Sequence, residues 1–242
     1  MKRLEGKIAV VTGASRGIGR AVAIALAYEG VHVVVTARNG DELNSLVQEV
    51  EALGVQGLAV AGDASEEPDV NRLKDETLAQ FGHVDILVNN TGVGKFGTLE
   101  TLTLEDYDWM MDTNMRSTFL VSKAFVPAMK ERGSGSVIFV GSVAGMKGLP
   151  NETIYCASKH AQMGFAQSLD FECREKGVKV SYVAPGGVNT YFAFGTGRTE
   201  GDPQLQEYLD SEDVADAVVF AAAQPPKARV FLIGMRPMRE TL

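Results

Sequence analysis

Thr12-Gly13-Ala14-Ser15-Arg16-Gly17-Ile18-Gly19 is the stretch on which the reading of this chain turns. It follows the β-branched run Ile8 to Val11 and leads into Ile18, Val22 and Leu26, which are apolar at helical spacing. It is therefore read as the turn between a first strand and a first helix. Glycines at 13, 17 and 19 let the backbone bend sharply and approach a pyrophosphate, whose charge the N–H groups and positive end of the following helix stabilise. The spacing alone is weak: with 26 glycines in 242 residues it arises by chance about 0.3 times. Position between strand and helix carries the weight, with a merely tight turn as the competing reading. No Gly-Lys-Ser/Thr follows, so the phosphate-grasping lysine and magnesium-binding hydroxyl of a nucleoside triphosphatase are missing.

Outward from this loop the same alternation repeats. Further strand-like runs occur at Val31 to Thr36, Gly57 to Ala61, Ile86 to Val88, Val137 to Val140, Val178 to Val183 and Val230 to Ile233, with helical spacing between them, as in Leu43, Leu46, Val47, Val50 and Leu53. Strands buried on both faces read as continuous apolar runs, and helices supply the crossovers, so the pattern predicts an α/β, doubly wound, mostly parallel sheet in one domain. At 45% apolar and 22% charged, the composition is that of a globular chain, and its size suffices for a core without disulfide or metal. A net charge of −8 repels nucleic acid and anionic lipid, and no apolar run is long enough to span a bilayer. Cys156 and Cys173 form no CxxC pair, and Met1 is followed by Lys2, Arg3 and Glu5 with no apolar leader, which suggests a reduced, cytoplasmic protein. The stretch 186–210 breaks the rhythm and is read as a substrate lid, or else a plain surface excursion.

Two further places carry chemistry. After the second strand the chain reads Val35-Thr36-Ala37-Arg38, without the acid that would bind the adenosine ribose hydroxyls. Arg38, with Arg16 from the glycine loop, could clamp a 2′-phosphate, so the pair points to NADP(H); singly, each could be a solvated surface charge. In Tyr155-Cys156-Ala157-Ser158-Lys159 helical spacing puts Tyr155 and Lys159 on one face, where an ammonium favours the phenolate. Ser142 follows the strand ending at Val140-Gly141, at the usual crevice for ligands of such sheets. Cys156 is read as core filling, the nine methionines and Trp109 as core or helix-interface residues, and His32, His83 and His160 as structural, with no metal-ligand spacing.

Taken in order, the glycine loop, Asn89-Asn90-Thr91-Gly92, Asn114, Ser142, Tyr155 with Lys159, and Pro185-Gly186-Gly187-Val188-Asn189-Thr190 resemble the short-chain dehydrogenase/reductase family over nearly the whole chain. The resemblance implies a seven-stranded Rossmann sheet and hydride transfer between NADP(H) and a carbonyl or secondary alcohol. It implies Tyr155 as the proton donor and acceptor, Ser142 as the holder of the substrate oxygen, and Lys159 as the group that lowers the tyrosine pKa and holds the nicotinamide ribose. Asn114 would hold a relay water by its backbone, Asp63 and Ala64 would flank the adenine, and Val188 and Thr190 would meet the carboxamide. Gly13, Ser15, Arg16, Gly17, Ile18, Gly19, Arg38, Asn90, Gly92, Pro185 and Gly186 complete the expected cofactor set. Thr91 stands where alanine is commonest, and Gly234-Met235-Arg236-Pro237-Met238-Arg239 replaces the glycine-rich ending of many relatives.

That tail, with Gln224-Pro225-Pro226, resembles a subgroup of NADP-dependent oxidoreductases acting on hydroxy acids, aldehydes or other small carbonyl compounds; a 3-oxoacyl-thioester reductase is the alternative. A non-catalytic dinucleotide sensor is the rival from another class, and it would have no need of a proton-delivery set. A homodimer or homotetramer is expected, built through the helices containing Asn114 to Met129 and Ile154 to Arg174, where Phe119, Leu120, Phe125 and Val126 occupy more than one face.

Overall fold

The β-branched runs become seven strands and the stretches between them helices, in a computed structural model that describes residues 3–240. Met1 and Lys2, where the charged beginning was read, lie outside those residues. The order is β1 (Ile8–Thr12), α1 (Gly17–Tyr28), β2 (His32–Ala37), α2 (Gly40–Ala52), β3 (Gly57–Ala61), α3 (Glu67–Phe81), β4 (Ile86–Asn89), α4 (Leu104–Met111), α5 (Ser117–Arg132), β5 (Gly135–Val140), α6 (Thr153–Cys173), β6 (Val178–Pro185), α7 (Ser211–Ala222) and β7 (Leu232–Met235). They form one sheet in the order β3-β2-β1-β4-β5-β6-β7, with every pairing parallel.

Alternation along each strand feeds two cores. Val11, Val35, Val88 and Ile138 face α1, α2 and α7, meeting Val22, Leu26, Leu43, Leu46, Val214 and Val218. Val10, Val34, Leu87 and Phe139 face α3, α5 and α6, meeting Leu73, Val121, Phe125 and Met163. This is the doubly wound fold anticipated from the sequence. The direction of winding reverses between β1 and β4, so a crevice opens at the carboxyl ends of those strands, where such sheets bind ligands.

Two strand limits differ from the sequence reading, and pairing explains both. β5 begins at Gly135, because Gly135 and Ser136 already pair with Val178 and Lys179, and Met129 fills the space a side chain at Gly135 would need. β7 runs Leu232–Met235 instead of Val230 to Ile233, because its partner residues on β6 are Tyr182 to Pro185. Trp109 and Met238 also depart from a core reading: Trp109 is 37% exposed at the cleft and Met238 is 99% exposed. Cys156 and Cys173 are both free and buried.

Candidate active site

The glycine loop is built as a cradle. Gly13 and Gly17 adopt φ of +63° and +56°, a region that costs other residues strain. A side chain at Gly19 would stand 2.4 Å from the Gly13 carbonyl, so this glycine lets α1 pack against the loop. The first turn of α1 carries no acid and no side-chain cap, which leaves its N–H groups facing the cleft as donors for an anion. The Thr12 hydroxyl accepts from the Asn90 and Thr91 N–H groups, and the Asn90 amide donates to the Thr12 and Gly13 carbonyls at 2.9 and 3.2 Å. Asn90 thus locks the loop to the end of β4; that its amide would be so engaged was not legible in the sequence.

A cleft of about 910 Å³ runs along these strand ends, near the upper limit for ligand sites. Gly13, Ser15, Arg16, Gly17, Ile18, Arg38, Asp63, Ala64, Asn90, Gly92, Ser142, Tyr155, Lys159, Pro185, Gly186, Val188 and Thr190 all line it. Arg16 and Arg38 are exposed at one end, and neither has an ion pair among the described residues. The Arg16 guanidinium lies 5.7 Å from the Tyr191 ring centre. Asp63 is partly committed, accepting from the Ser65 N–H and hydroxyl.

Ser142, Tyr155 and Lys159 line the same cleft. Ser142 caps a short turn, its hydroxyl oxygen accepting from the Ala144 N–H at 3.1 Å, so the hydroxyl proton stays free to donate. Tyr155 and Lys159 project from the first turns of α6, 7% and 3% exposed. Burial pushes the Tyr155 phenol above its ordinary value, with a hydrogen bond to Ser142 pulling the other way. Burial also brings the Lys159 ammonium down to about 8, and it lies 5.7 Å from the Tyr155 ring centre. The downward shift of the tyrosine expected from the sequence is thus outweighed here by desolvation.

Asn114 is fully buried in a π-helical turn, Asp112–Arg116, between α4 and α5. Its side chain accepts from the Val93 N–H at 2.7 Å and donates to the Val93 carbonyl and the Ser158 hydroxyl. Its carbonyl accepts from the Thr118 hydroxyl at 2.7 Å and the Gln162 amide at 2.8 Å. These two bonds meet the carbonyl at which the resemblance expects a relay water, and Gln162 supplies one of them. Similarly, the Val188 carbonyl accepts from Arg198, and the Thr190 hydroxyl accepts from the Phe192 N–H.

Other residues at the site carried no recognised signal. The Tyr182 hydroxyl accepts from the Ser142 N–H and donates to the Lys159 carbonyl, both at 3.3 Å, joining β5 to α6. The only hint was a tyrosine inside the apolar run of β6. Segment 186–210 is pinned across the cleft: the Phe96 N–H donates to the Thr196 carbonyl and the Thr196 hydroxyl to the Gly94 carbonyl, both at 2.7 Å. Phe96 and Phe192 thereby pack on Tyr155, with ring centres 5.8 and 5.7 Å from it. The tail returns to the cleft, where the Glu240 carboxylate accepts from the Gly187 N–H. Among the described residues no group of three or more His, Cys, Asp or Glu could hold a metal ion, and no helix is long and apolar enough to cross a membrane.

With this geometry established, comparison with known proteins is informative. A sepiapterin reductase from Chlorobaculum tepidum is 35% identical over 95% of this chain and 96% of its own length. A 3-oxoacyl-[acyl-carrier-protein] reductase from Synechocystis is 36% identical over 95% of this chain and 94% of its own. Among solved structures, an alcohol dehydrogenase from the archaeon Thermococcus sibiricus complexed with 5-hydroxy-NADP superposes with a TM-score of 0.91 at 31% identity, covering 98% of this chain and 99% of that one. A short chain dehydrogenase/reductase from Burkholderia phymatum in complex with NAD gives 0.86 at 31%, covering 97% and 90%. Residues 7–200 match the short chain dehydrogenase family as a whole. By sequence, sheet order and placement of its glycine loop, this chain belongs to the short-chain dehydrogenase/reductase family of oxidoreductases.

Proposed function

We propose that the protein is an NADP(H)-dependent oxidoreductase that interconverts a carbonyl compound and the corresponding secondary alcohol, with Tyr155 as general acid and base. The observation that carries this reading is the convergence of Ser142, Tyr155 and Lys159 on one cleft with the glycine cradle. The cradle fits a dinucleotide, since uncapped N–H groups at the start of α1 face the cleft and Gly13 and Gly17 hold the tight turn before them, and a bound nicotinamide would supply or accept the hydride. As negative charge develops on the substrate oxygen, Ser142 donates a hydrogen bond to it and Tyr155 delivers the proton. Lys159 stabilises the phenolate that remains, and segment 186–210 acts as the lid that excludes water. Arg16 and Arg38 hold the 2′-phosphate. The 5-hydroxy-NADP complex of the Thermococcus sibiricus enzyme supports that choice, and the Burkholderia phymatum complex contains NAD, so the proposed preference rests on the two arginines.

The test follows NADPH absorbance with ketones, aldehydes, quinones and acyl thioesters. Turnover is expected with a ketone or aldehyde; turnover confined to acyl thioesters would favour the second reading, which the Synechocystis relative supports. No turnover with any class, alongside tight cofactor binding, would leave a dinucleotide sensor. Tyr155→Phe should bind the cofactor normally and lose about 100- to 10,000-fold in kcat. Ser142→Ala should lose about 100-fold, because Tyr155 still donates to the oxygen. Full activity in the Tyr155 variant would end the mechanism.

A further inference from the structure

Glu152 stands at the N-cap position of α6 but does not cap the helix: its side chain accepts no backbone N–H there. It lines the cleft instead, partly buried, and has no ion pair within 4 Å among the described residues. The titratable groups coupled to it are Arg198, Glu240, Tyr155 and Cys156. Arg198 is held elsewhere, donating to the Val188 carbonyl at 2.9 Å and lying over the Phe192 and Tyr208 rings at 5.6 and 5.1 Å. The carboxyl therefore keeps an open acceptor edge in a poorly hydrated place, and burial raises it to about 7. A partly desolvated carboxyl without a donor is unfavourable, and a ligand bearing one would relieve it.

The surroundings define the rest of that ligand. Tyr155 lies three residues beyond Glu152, on the same side of the helix end. Beside the phenol, Phe96 and Phe192 form an aromatic wall, their ring centres 6.5 Å apart. Lid and loop are hydrogen-bonded to each other at this wall, so it is a defined surface. Flat π systems pack on such a wall in offset or edge-on contact, which saturated rings match less well.

We propose that the substrate is a flat aromatic carbonyl compound bearing an N–H or O–H donor, which lies on Phe96 and Phe192, directs its carbonyl to Tyr155 and donates from its other edge to Glu152. This deepens the proposed function and rests on Tyr155 as the proton donor. Glu152 is then a specificity residue, invisible to motif reading because glutamate at a helix start is commonplace.

The experiment measures binding to the NADP⁺-loaded protein by quenching of Trp109, the chain's one tryptophan, which lines the cleft. The probes are 1-tetralone, its ring-hydroxylated and ring-methoxylated derivatives, and 1-decalone, the saturated skeleton. At pH 8.5, where Glu152 is ionised, the best hydroxytetralone is expected to bind roughly tenfold tighter than 1-tetralone, as a hydrogen bond to a charged acceptor implies. The methoxy compounds should gain nothing, and decalone should bind several-fold more weakly. Glu152→Leu should abolish the hydroxyl advantage, and Glu152→Gln, whose amide oxygen still accepts, should keep part of it; unchanged NADP⁺ binding confirms that each variant is folded. Equal affinity for hydroxylated and plain tetralone, survival of the advantage in Glu152→Leu, tighter binding of decalone, or no saturable binding by any probe would overturn the proposal. Turnover of the same ketones with NADPH is read separately, so a protein that binds as expected but does not reduce them refutes the catalytic reading alone.

Discussion

Lys159 shows how a residue of the proposed mechanism is kept against its own energetics. Lys159 is 3% exposed with no ion pair among the described residues, and burial lowers its pKa from 10.5 to about 8. Because the unfolded chain holds that proton more tightly, the native state is penalised at every pH below about 8, and the penalty fades as pH rises from 8 to 10.5. Replacing the lysine by a similarly shaped apolar residue removes the penalty. Lys159→Met should therefore be inactive yet more stable at pH 7, by at most about 3 kcal/mol, with a gain that shrinks toward pH 10. Urea unfolding at both pH values checks it; a variant no more stable than wild type at pH 7 would show that the ammonium is better solvated than its burial implies.

Element ends line the cleft, and two of them can be tested separately. The π-helical turn between α4 and α5 widens the backbone where Asn114 reaches the Val93 N–H and carbonyl and the Ser158 hydroxyl. Asn114→Ala leaves those groups unpaired in the interior and should lose about 2–4 kcal/mol of stability. Denaturant titration decides this, and a loss below about 1 kcal/mol would mean that the turn is held by packing alone. On the proposed reading the end of β2 sets cofactor choice through Arg38, which lines the cleft, exposed and without an ion pair among the described residues. Two charge-assisted hydrogen-bonding groups on one phosphate should favour NADPH over NADH roughly a hundredfold. Arg38→Ala should weaken NADPH and leave NADH nearly unchanged, and Ala37→Asp should reverse the preference by repelling the phosphate and accepting from the ribose. Paired titrations measure both, and equal weakening of the two cofactors by Arg38→Ala would make Arg38 a surface charge.

At the scale of the molecule, the helices on one face of the sheet carry large apolar side chains outward. Phe119 on α5 is 46% exposed and Phe171 on α6 is 64% exposed, with Leu104 and Tyr107 of α4 also exposed. Buried faces of α5 and α6 already supply the core through Phe125, Val126, Met163 and Leu169. A helix apolar on its inner and outer sides is suited to pairing with another copy of itself. The chain should therefore be a homo-oligomer through α5 and α6, and Phe119→Glu with Phe171→Glu should dissociate it. Light scattering at micromolar concentration reads the outcome, and a wild-type monomer would refute it.

The alternation of strand and helix, the glycine cradle and the placement of Ser142, Tyr155 and Lys159 were legible in the amino-acid order, because each depends on local periodicity or on residues a few positions apart. The two cores followed from the same periodicity, since successive strand residues face opposite layers. Tertiary structure alone decided what depends on groups distant along the chain. Gln162 takes the Asn114 carbonyl from 48 residues away, Tyr182 bridges Ser142 and Lys159 from another strand, and the register of β7 follows its neighbour β6 instead of its own propensities. The placing of Glu152 in an aromatic-walled cleft belongs to the same class, because the wall exists only once segment 186–210 is hydrogen-bonded to the loop that carries Phe96.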